Sequence, residues 1–466
     1  MEGLEISEIE FKDILKQTKD FRIDSEFFKK EFLTNDLLKF ETIYKLDSIA
    51  KISDGDHSKF PENQKEEVRY LQAKDIKDYF IEDNNPVYIS KKYFDKNKRS
   101  HIKEENVILS IMGSVGDIAI TPKGFVPTLA NRAVAIIKDI NTINPYYLFA
   151  FMCSKFGLNQ IERNKNGGVQ VRINLDVLSK VEVPVVNETL QVNIENLVTS
   201  AHQKRQESRD KYKAAENLLL ESFGLQDFQP STEAVNIKSF KDSFVSTGRL
   251  DAEYYQPKYE DYINFIQKNS LGYDILSNVC IVKDKNFTPE NNIKYKYIEL
   301  SNIGNSGNIT GCTVDIGSEL PGRARRKINV NDVIISSIEG SLNSCAIVTE
   351  YFDNSICSTG FYVINSEKIN SETLLVLFKS ELMQNILKQN CSGTILTAIN
   401  KNDFLNIPVP IIDTNIQIQI AELLQESFKL KEQSEHLLQV AKRAVEIAIE
   451  ENEEVAINYI NNNSTF

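Results

Sequence analysis

Cysteine is scarce in this chain: six in 466 residues, at positions 153, 280, 312, 345, 357 and 391, with no C-x-x-C pair and no histidine at metal-ligand spacing. That excludes a zinc ribbon and a disulfide framework and predicts buried, reduced thiols. No apolar run is long enough to span a bilayer; stretches such as YYLFAFMC fall well short. The N-terminus, MEGLEISEIEF, is acidic rather than signal-like, so a cytoplasmic protein with no membrane partner is expected. There is no Walker A loop and no G-x-G turn after a strand to cradle a nucleotide or S-adenosylmethionine. No nucleophile, base and orienting group can be named together, which argues against a self-contained enzyme. No catalytic residue, metal or cofactor is expected.

What the chain has is a repeat. RIDSEFF at 22–28 returns as RLDAEYY at 249–255, an offset of 227. The offset carries on down the chain. Tyr70-Leu71-Gln72 falls on Tyr297-Ile298-Glu299, and NVILSIMGSVGDIAI (106–120) falls on DVIISSIEGSLNSCAIV (332–348), setting Gly113 on Gly340. With one residue of slippage VRIN (171–174) meets TAIN (397–400), and VEVPVVNETLQVNI (181–194) meets NIPVPIIDTNIQIQI (406–420). The chain is a duplication of a unit of about 225 residues.

Each unit reads as three parts. An amphipathic aromatic segment leads, with Phe21, Phe28 and Phe32 at helical spacing in the first copy and Tyr254, Tyr255, Tyr259 and Tyr262 in the second, where Pro257 signals a break or a helix start. A mixed region of about 150 residues follows. Its strands are read at VRYLQ, VILSIM, IAIT and AVAIIK and again at KYKYIEL, VIISSI, CAIVTE and FYVIN; a helix and a glycine-bearing loop, KNGGVQVRIN or CSGTILTAIN, close it. A long helix ends the unit. Ile420, Leu423, Ser427, Leu430, Ser434, Leu437, Ala441, Ala444 and Ala448 step by three and four like a coiled-coil seam, as do Ile194, Leu197, Ala201, Arg205, Ser208, Tyr212, Ala215 and Leu219. The expected fold class is α+β, two tandem globular domains in a pseudo-two-fold internal repeat, separated by long helices that pair as an antiparallel coiled coil. Expected boundaries are a leading helical segment at 1–40, a domain at 41–187, a central helix at 188–224, a linker and second leading helix at 225–262, a domain at 263–412, a distal helix at 413–452 and a polar tail at 453–466.

The repeat also filters candidate motifs. NPYY at 144–147 resembles the catalytic motif of amino-methyltransferases, but its twin is NSET at 370–373. What the copies share is Asn before a helix, which is a cap. SDGDHSKF at 53–60 gathers two acids and His57, yet the aligned VKDKNFTP keeps no ligand set, so a turn is the reading. His202 and His436 fall on the long helices, as seam or solvated residues.

Charge leaves room for an anionic partner despite a net of −12. The net is −4 over residues 1–41, +3 over 42–187, −1 over 188–222, −4 over 223–412 and −6 over 413–466. Basic runs lie inside both mixed regions. KKYFDKNKRSHIK (91–103) supplies Lys91, Lys92, Lys98 and Arg99, and GRARRK (322–327) supplies Arg323, Arg325, Arg326 and Lys327. Such patches neutralise phosphates, and Arg, Gln, Asn or Ser on exposed loops reads base edges.

The duplicated R-[IL]-D-[SA]-E-[FY]-[FY] segment, VILSIMGSVGDIA with its twin, the glycine-bearing loops ending in IN, and VPVV and VPII before Gln191 and Gln417 together resemble the specificity (S) subunit of Type I restriction-modification systems. The resemblance covers nearly the whole chain. It implies two target recognition domains, each reading one half of a split double-stranded DNA target, with antiparallel helices docking the modification (methyltransferase) subunits, two of them, and restriction/translocase subunits alongside. Methylation, cleavage and ATP use would belong to those partners. The acidic balance of the second region departs from this pattern as far as phosphate contacts are concerned. DNA-binding candidates are the basic residues above with Arg132, Lys165, Gln170, Arg172, Thr394 and Thr397; partner-binding candidates are Arg22, Asp24, Phe27, Phe28, Arg249, Asp251, Tyr254 and Tyr255. Two other readings stand beside this one: the specificity chain of an enzyme whose partner fuses nuclease and methylase, and a coiled-coil scaffold that binds proteins only. A helix of about 35 residues spans about 50 Å, which predicts half-site centres on the order of 10–15 base pairs apart.

Overall fold

In the computed structural model the described residues are 9–12, 14, 25, 27–29, 32, 40–58, 67–82, 86–165, 171–393 and 397–464. They form two compact units, one within Met1–Arg205 and Glu432–Phe466, the other Gln206–Lys431. The longer helices are α1 (Pro145–Cys153), α2 (Lys155–Arg163), α3 (Glu188–Phe223), α4 (Pro257–Gln267), α5 (Ser371–Lys379), α6 (Glu381–Gln389), α7 (Thr414–Glu450) and α8 (Glu453–Asn463). The boundary between units falls inside α3 and α7, so each unit holds part of both.

The first unit is built on two four-stranded sheets. One runs Lys51–Asp54, Val134–Lys138, Val107–Ser110, Ile118–Ile120, wholly antiparallel; the other runs Val87–Ile89, Val68–Leu71, Thr128–Ala130, His101–Ile102. The second unit repeats both in the same order, as Ile281–Val282, Phe361–Asn365, Val333–Ser336, Cys345–Ile347 and Thr313–Ile316, Lys294–Ile298, Ile356–Ser358, Ala324–Lys327. Even the parallel pair repeats. Tyr70 and Leu71 lie beside Leu129 and Ala130, and Tyr297 and Ile298 lie beside Ile356 and Cys357, each residue displaced by 227. VILS and VIIS are buried along their whole length, because both faces of these central strands are covered and no polar alternation is needed.

Helices α1 and α5 pack beneath these sheets and are started by their asparagines. Asn144 Oδ1 accepts from the amides of Tyr146 and Tyr147, at 2.8 and 3.4 Å, and Asn370 Oδ1 from that of Thr373 at 2.8 Å. Capping is therefore what NPYY does. The following helices begin on Ser154 and Ser380, whose hydroxyls accept from Gly157 and Met383. A second duplicated bond ties each cap to its long helix: Asn144 N–H donates to Gln191 Oε1 (2.8 Å) and Asn370 N–H to Gln417 Oε1 (3.0 Å).

Within each unit α3 and α7 run antiparallel. In the first, Asn187 N–H donates to Glu453 just past the end of α7 and Ser434 Oγ to Ala201 O (2.7 Å); in the second, Ser208 and Ser427 exchange hydroxyl–carbonyl bonds at 2.8 and 2.7 Å. The seam of α3 follows the expected positions, with Tyr212 half-buried. The seam of α7 differs in phase over its first half: Leu424 and Lys431 are buried, whereas Leu423 and Leu430 are half-buried. Lys431 is tolerated there because its ammonium finds an acceptor, described below. GRARRK lies largely on an edge strand. Residues 453–463 are helical rather than a tail, started by Asn452, and bury Ala456 and Ile460. The aromatics of the second leading segment fall on both sides of Pro257: Tyr259 and Tyr262 are buried on α4, while Tyr254 and Tyr255 precede it.

Five of the six cysteines are buried and Cys312 is half-buried, all as free thiols. Burial pushes Cys345 up to about 11 and Cys280 and Cys391 up to about 12. Among the described residues no helix is long and apolar enough to cross a membrane.

Candidate nucleic-acid interface

In the first unit the strand Val107–Ser110 leaves the sheet into a loop whose turns need left-handed backbone at Gly113 (φ 84°) and Gly116 (φ 105°). The returning chain is pinned to it: Met112 and Arg172 form an isolated bridge, and Ile173 N–H donates to Ile111 O at 3.1 Å. Arg172 is exposed at that point, with its backbone fixed. Lys165, half-buried, pairs with Glu162 near Gly116. Burial holds the Asp117 carboxyl above the usual carboxylate range, with Lys77 and Lys165 opposing and Asp78 reinforcing that shift. Lys77 and Lys165 thus lie near Asp117 at one end of the loop, and Arg172 is bridged to Met112 at the other. Gln170 lies outside the described residues.

The second unit builds the same bridge from Ile338 and Ala398, and Glu339 N–H donates to Thr397 O at 3.0 Å. The counterpart of Arg172 is therefore Ala398, not Thr397. Thr397 is half-buried, its hydroxyl directed to Gly393 O at 3.4 Å. Thr394 lies outside the described residues.

KKYFDKNKRSHIK forms a short helix, Lys91–Lys96, capped by Ser90, and then a single turn at Lys98–Ser100. Lys91 lies over the Phe94 ring at 5.1 Å and 3.6 Å from Asp95; Lys92 and Lys98 are exposed. Arg99 donates to Asp54 Oδ1 (2.7 Å), whose other oxygen meets His57 Nε2 at 2.5 Å. Asp56 accepts from Ser58 and from the Tyr93 hydroxyl. The acids of SDGDHSKF are thus committed to neighbours at a strand end. Lys138 Nζ donates to Arg99 O at 2.6 Å. Burial lowers the Lys138 ammonium, with Arg99, Lys103 and Lys51 adding to the effect and Asp139 opposing it. A patch of Lys51, Arg99, Lys103 and Lys138 results. Arg99 and Lys103 belong to the basic run at 91–103, whereas Lys51 and Lys138 lie far from it in sequence and are brought together by strand pairing. Arg132 is exposed between the strands Thr128–Ala130 and Val134–Lys138.

Along the edge strand Ala324–Lys327 the four cations divide. Arg323, Arg325 and Lys327 are exposed; Arg325 Nε donates to Gly322 O (2.7 Å) and Lys327 lies over the Phe287 ring at 4.1 Å. Arg326 points to the other side of the strand, half-buried, and donates to Asp284 O and Asn286 Oδ1.

The duplicated aromatic segments dock on the end of the α1–α2 or α5–α6 pair. Phe27 and Phe28 are buried, the Arg163 guanidinium stacks on Phe27 at 4.1 Å, and Arg163 Nε donates to Phe27 O at 3.0 Å. At the matching place Gln389 Nε2 donates to Tyr254 O at 3.1 Å. Arg249 forms a two-pronged pair with Asp251 (2.8 and 2.5 Å), donates to Cys391 O at 2.8 Å and lies over Tyr254 at 4.3 Å; Tyr255 OH donates to Arg249 O at 3.1 Å. Arg and Asp here brace the segment against its own unit. Arg22 and Asp24 lie outside the described residues.

The profile described as Type I restriction modification DNA specificity domain matches residues 39–200 and again 274–442. No curated protein matches the sequence. Similar solved structures include the Type-I restriction-modification system S subunit from M. genitalium, 11% identical over 88% of this chain and 96% of that one, with a TM-score of 0.41. The HsdS subunit from Thermoanaerobacter tengcongensis is 14% identical over 88% and 97%, with a TM-score of 0.30. A chain from a study of complex assembly and conformational transition of the type I R-M system is 15% identical over 86% and 97%, with a TM-score of 0.28. Matched twice, over most of its length and over both copies of its internal repeat, the chain belongs to the Type I restriction modification DNA specificity domain family.

Proposed function

We propose that this chain is the DNA-sequence-specificity subunit of a Type I restriction-modification complex and reads a split duplex target, one α+β unit per half-site. The observation that carries the reading is a duplicated bridge with unlike side chains: two units of one plan present a pinned loop at the same place, Arg172 in one and Ala398 in the other. Equal scaffolds with unequal loops are what two different half-sites require. Arg172, Lys165 and Gln170 face bases in the first half, and Thr397 and Thr394 in the second. Lys91, Lys92, Lys98, Arg99, Arg132, Arg323, Arg325 and Lys327 meet phosphates. The long helices scaffold two methyltransferase subunits, with restriction/translocase subunits completing the complex; the chemistry of methylation and cleavage resides in those partners.

The test is binding of the assembled complex to duplexes selected from a random pool. A bipartite target, bound with a steep salt dependence, is expected. Recovery of no split target would overturn the reading.

A further inference from the structure

A cation lies buried near the middle of each long helix, and the two are repeat counterparts: Arg205 on α3 and Lys431 on α7, offset by 226. Each reaches out of the helical seam to the same part of its own unit. Arg205 Nη2 donates to Glu82 Oε1 at 2.7 Å, Nη1 to Glu435 Oε1 at 3.3 Å, and its guanidinium lies over the Phe80 ring at 5.0 Å. Lys431 Nζ donates to Asn308 Oδ1 at 2.6 Å. Glu82 follows the hairpin in which Ile76 pairs with Ile81, and Asn308 sits in the corresponding hairpin closed by Ile303 and Ile309. A buried cation in a seam costs desolvation that an apolar residue would not, so its retention needs a task.

The hairpin explains that task. In the first unit its two strands pack on Ile118–Ile120, and its tip carries Lys77 and Asp78, whose charges act on Asp117 beside Lys165. The hairpin thus lies between the helices and the strand Ile118–Ile120, which leads out of the loop to which Arg172 is bridged. A second tie from the helix, Lys442 Nζ to Tyr79 OH at 2.6 Å, reinforces it. We propose that Arg205 and Lys431 are positioning residues that lock the attitude of each recognition loop on its helices, and so restrict the protein to one gap length between half-sites. The inference rests on the proposed DNA function. The first lock includes an ion pair to Glu82, and the second includes a bond from Lys431 to the Asn308 amide oxygen.

The experiment uses the full chain assembled with its methyltransferase subunits and duplexes carrying the selected half-sites, with the gap at its parent length or one base pair shorter or longer. Arg205→Met and Lys431→Met should raise binding to the off-length duplexes by about tenfold relative to the parent length, because a shift of an ångström at the loop is enough to misplace a contact. Base preference within each half-site should not change. Arg205→Lys, which keeps an ionic partner for Glu82, should restore discrimination. If Arg205→Met does not fold, Glu82→Gln is read in its place, since it removes the ionic partner from the first lock. Folded variants that keep the parent's gap discrimination, or that lose base preference in step with it, overturn the inference alone. A parent complex that selects no split target overturns the DNA reading and this inference with it.

Discussion

Arg172 and Ala398 occupy the same bridge in the two units, yet differ in everything a base edge could sense. Arg172→Ala should therefore cost about 1–3 kcal/mol of binding on targets bearing the first half-site and relax preference there, measured by titration of the complex against single-base variants. The arginines of the edge strand separate in the same way. Loss of Arg323 or Arg325 should lower the salt slope by about 0.9 for each phosphate contact removed, with base preference unchanged. Arg326→Ala should instead lower the melting temperature, because Asp284 O and Asn286 lose their donor. A pH effect belongs to Glu216 on α3. Burial raises its carboxyl above the usual glutamate range, with Lys379 and Lys213 pulling the other way. Its folded pKa exceeds its unfolded value, so folding favours the protonated form, and stability falls as pH rises from the ordinary glutamate range through the raised pKa. Glu216→Gln removes that loss, and its gain in melting temperature should be larger at pH 8 than at pH 4.

At the scale of elements the seam of α7 offers a direct check on phase. Leu424 is fully buried and Leu423 half-buried, so Leu424→Ala should cost about 2–5 kcal/mol and Leu423→Ala distinctly less in chemical denaturation. The reversed order would restore the phase read from sequence. That phase was misread because a seam of stepped threes and fours is ambiguous by one residue wherever Leu423 stands beside Leu424, and because Lys431 is a poor core candidate until Asn308 is seen opposite it. Gly307 provides another element-level test: it has φ 82°, and a Cβ there would lie 2.4 Å from Leu375 Cδ2, so Gly307→Ala should destabilise the second hairpin. The buried strands VILS and VIIS were legible, since continuous β-branched and leucine runs have few other uses. So were the caps at Asn144 and Asn370. The short strands Lys51–Asp54, Thr128–Ala130 and Ala324–Lys327 were not. Their residues carry little β-propensity, and partners across the sheet stabilise them more than local sequence does. The patch around Lys138 was hidden for the same reason, being assembled by pairing.

For the molecule as a whole, the ruler expectation becomes a design. Inserting one heptad into α3 and its complement into α7 adds about 10 Å along each helix, or about three base pairs. The half-site sequences should persist while the gap widens; an unchanged gap on selected targets would sink the idea. Solubility is a second whole-chain property. Val235, Ile237, Phe240, Val245 and Leu250 are exposed within sixteen residues, and a patch of that kind favours association. The chain without its partners should aggregate at concentrations where the assembled complex stays monodisperse in light scattering.

The two units are also stitched differently along the chain. Gln206–Lys431 is continuous, whereas the other unit needs Glu432–Phe466 to complete what Met1–Arg205 begins. Emergence from the ribosome is therefore staggered: the unit Gln206–Lys431 has all its residues before the other, which waits for Glu432–Phe466. Until then Ile194, Leu197 and Ala201 lack the Leu437, Ala441 and Ala444 side of their shared core. Arrested nascent chains ending near Lys431 should give a protease-resistant fragment from the second unit and rapid cleavage within the first, and release of the final helices should protect both.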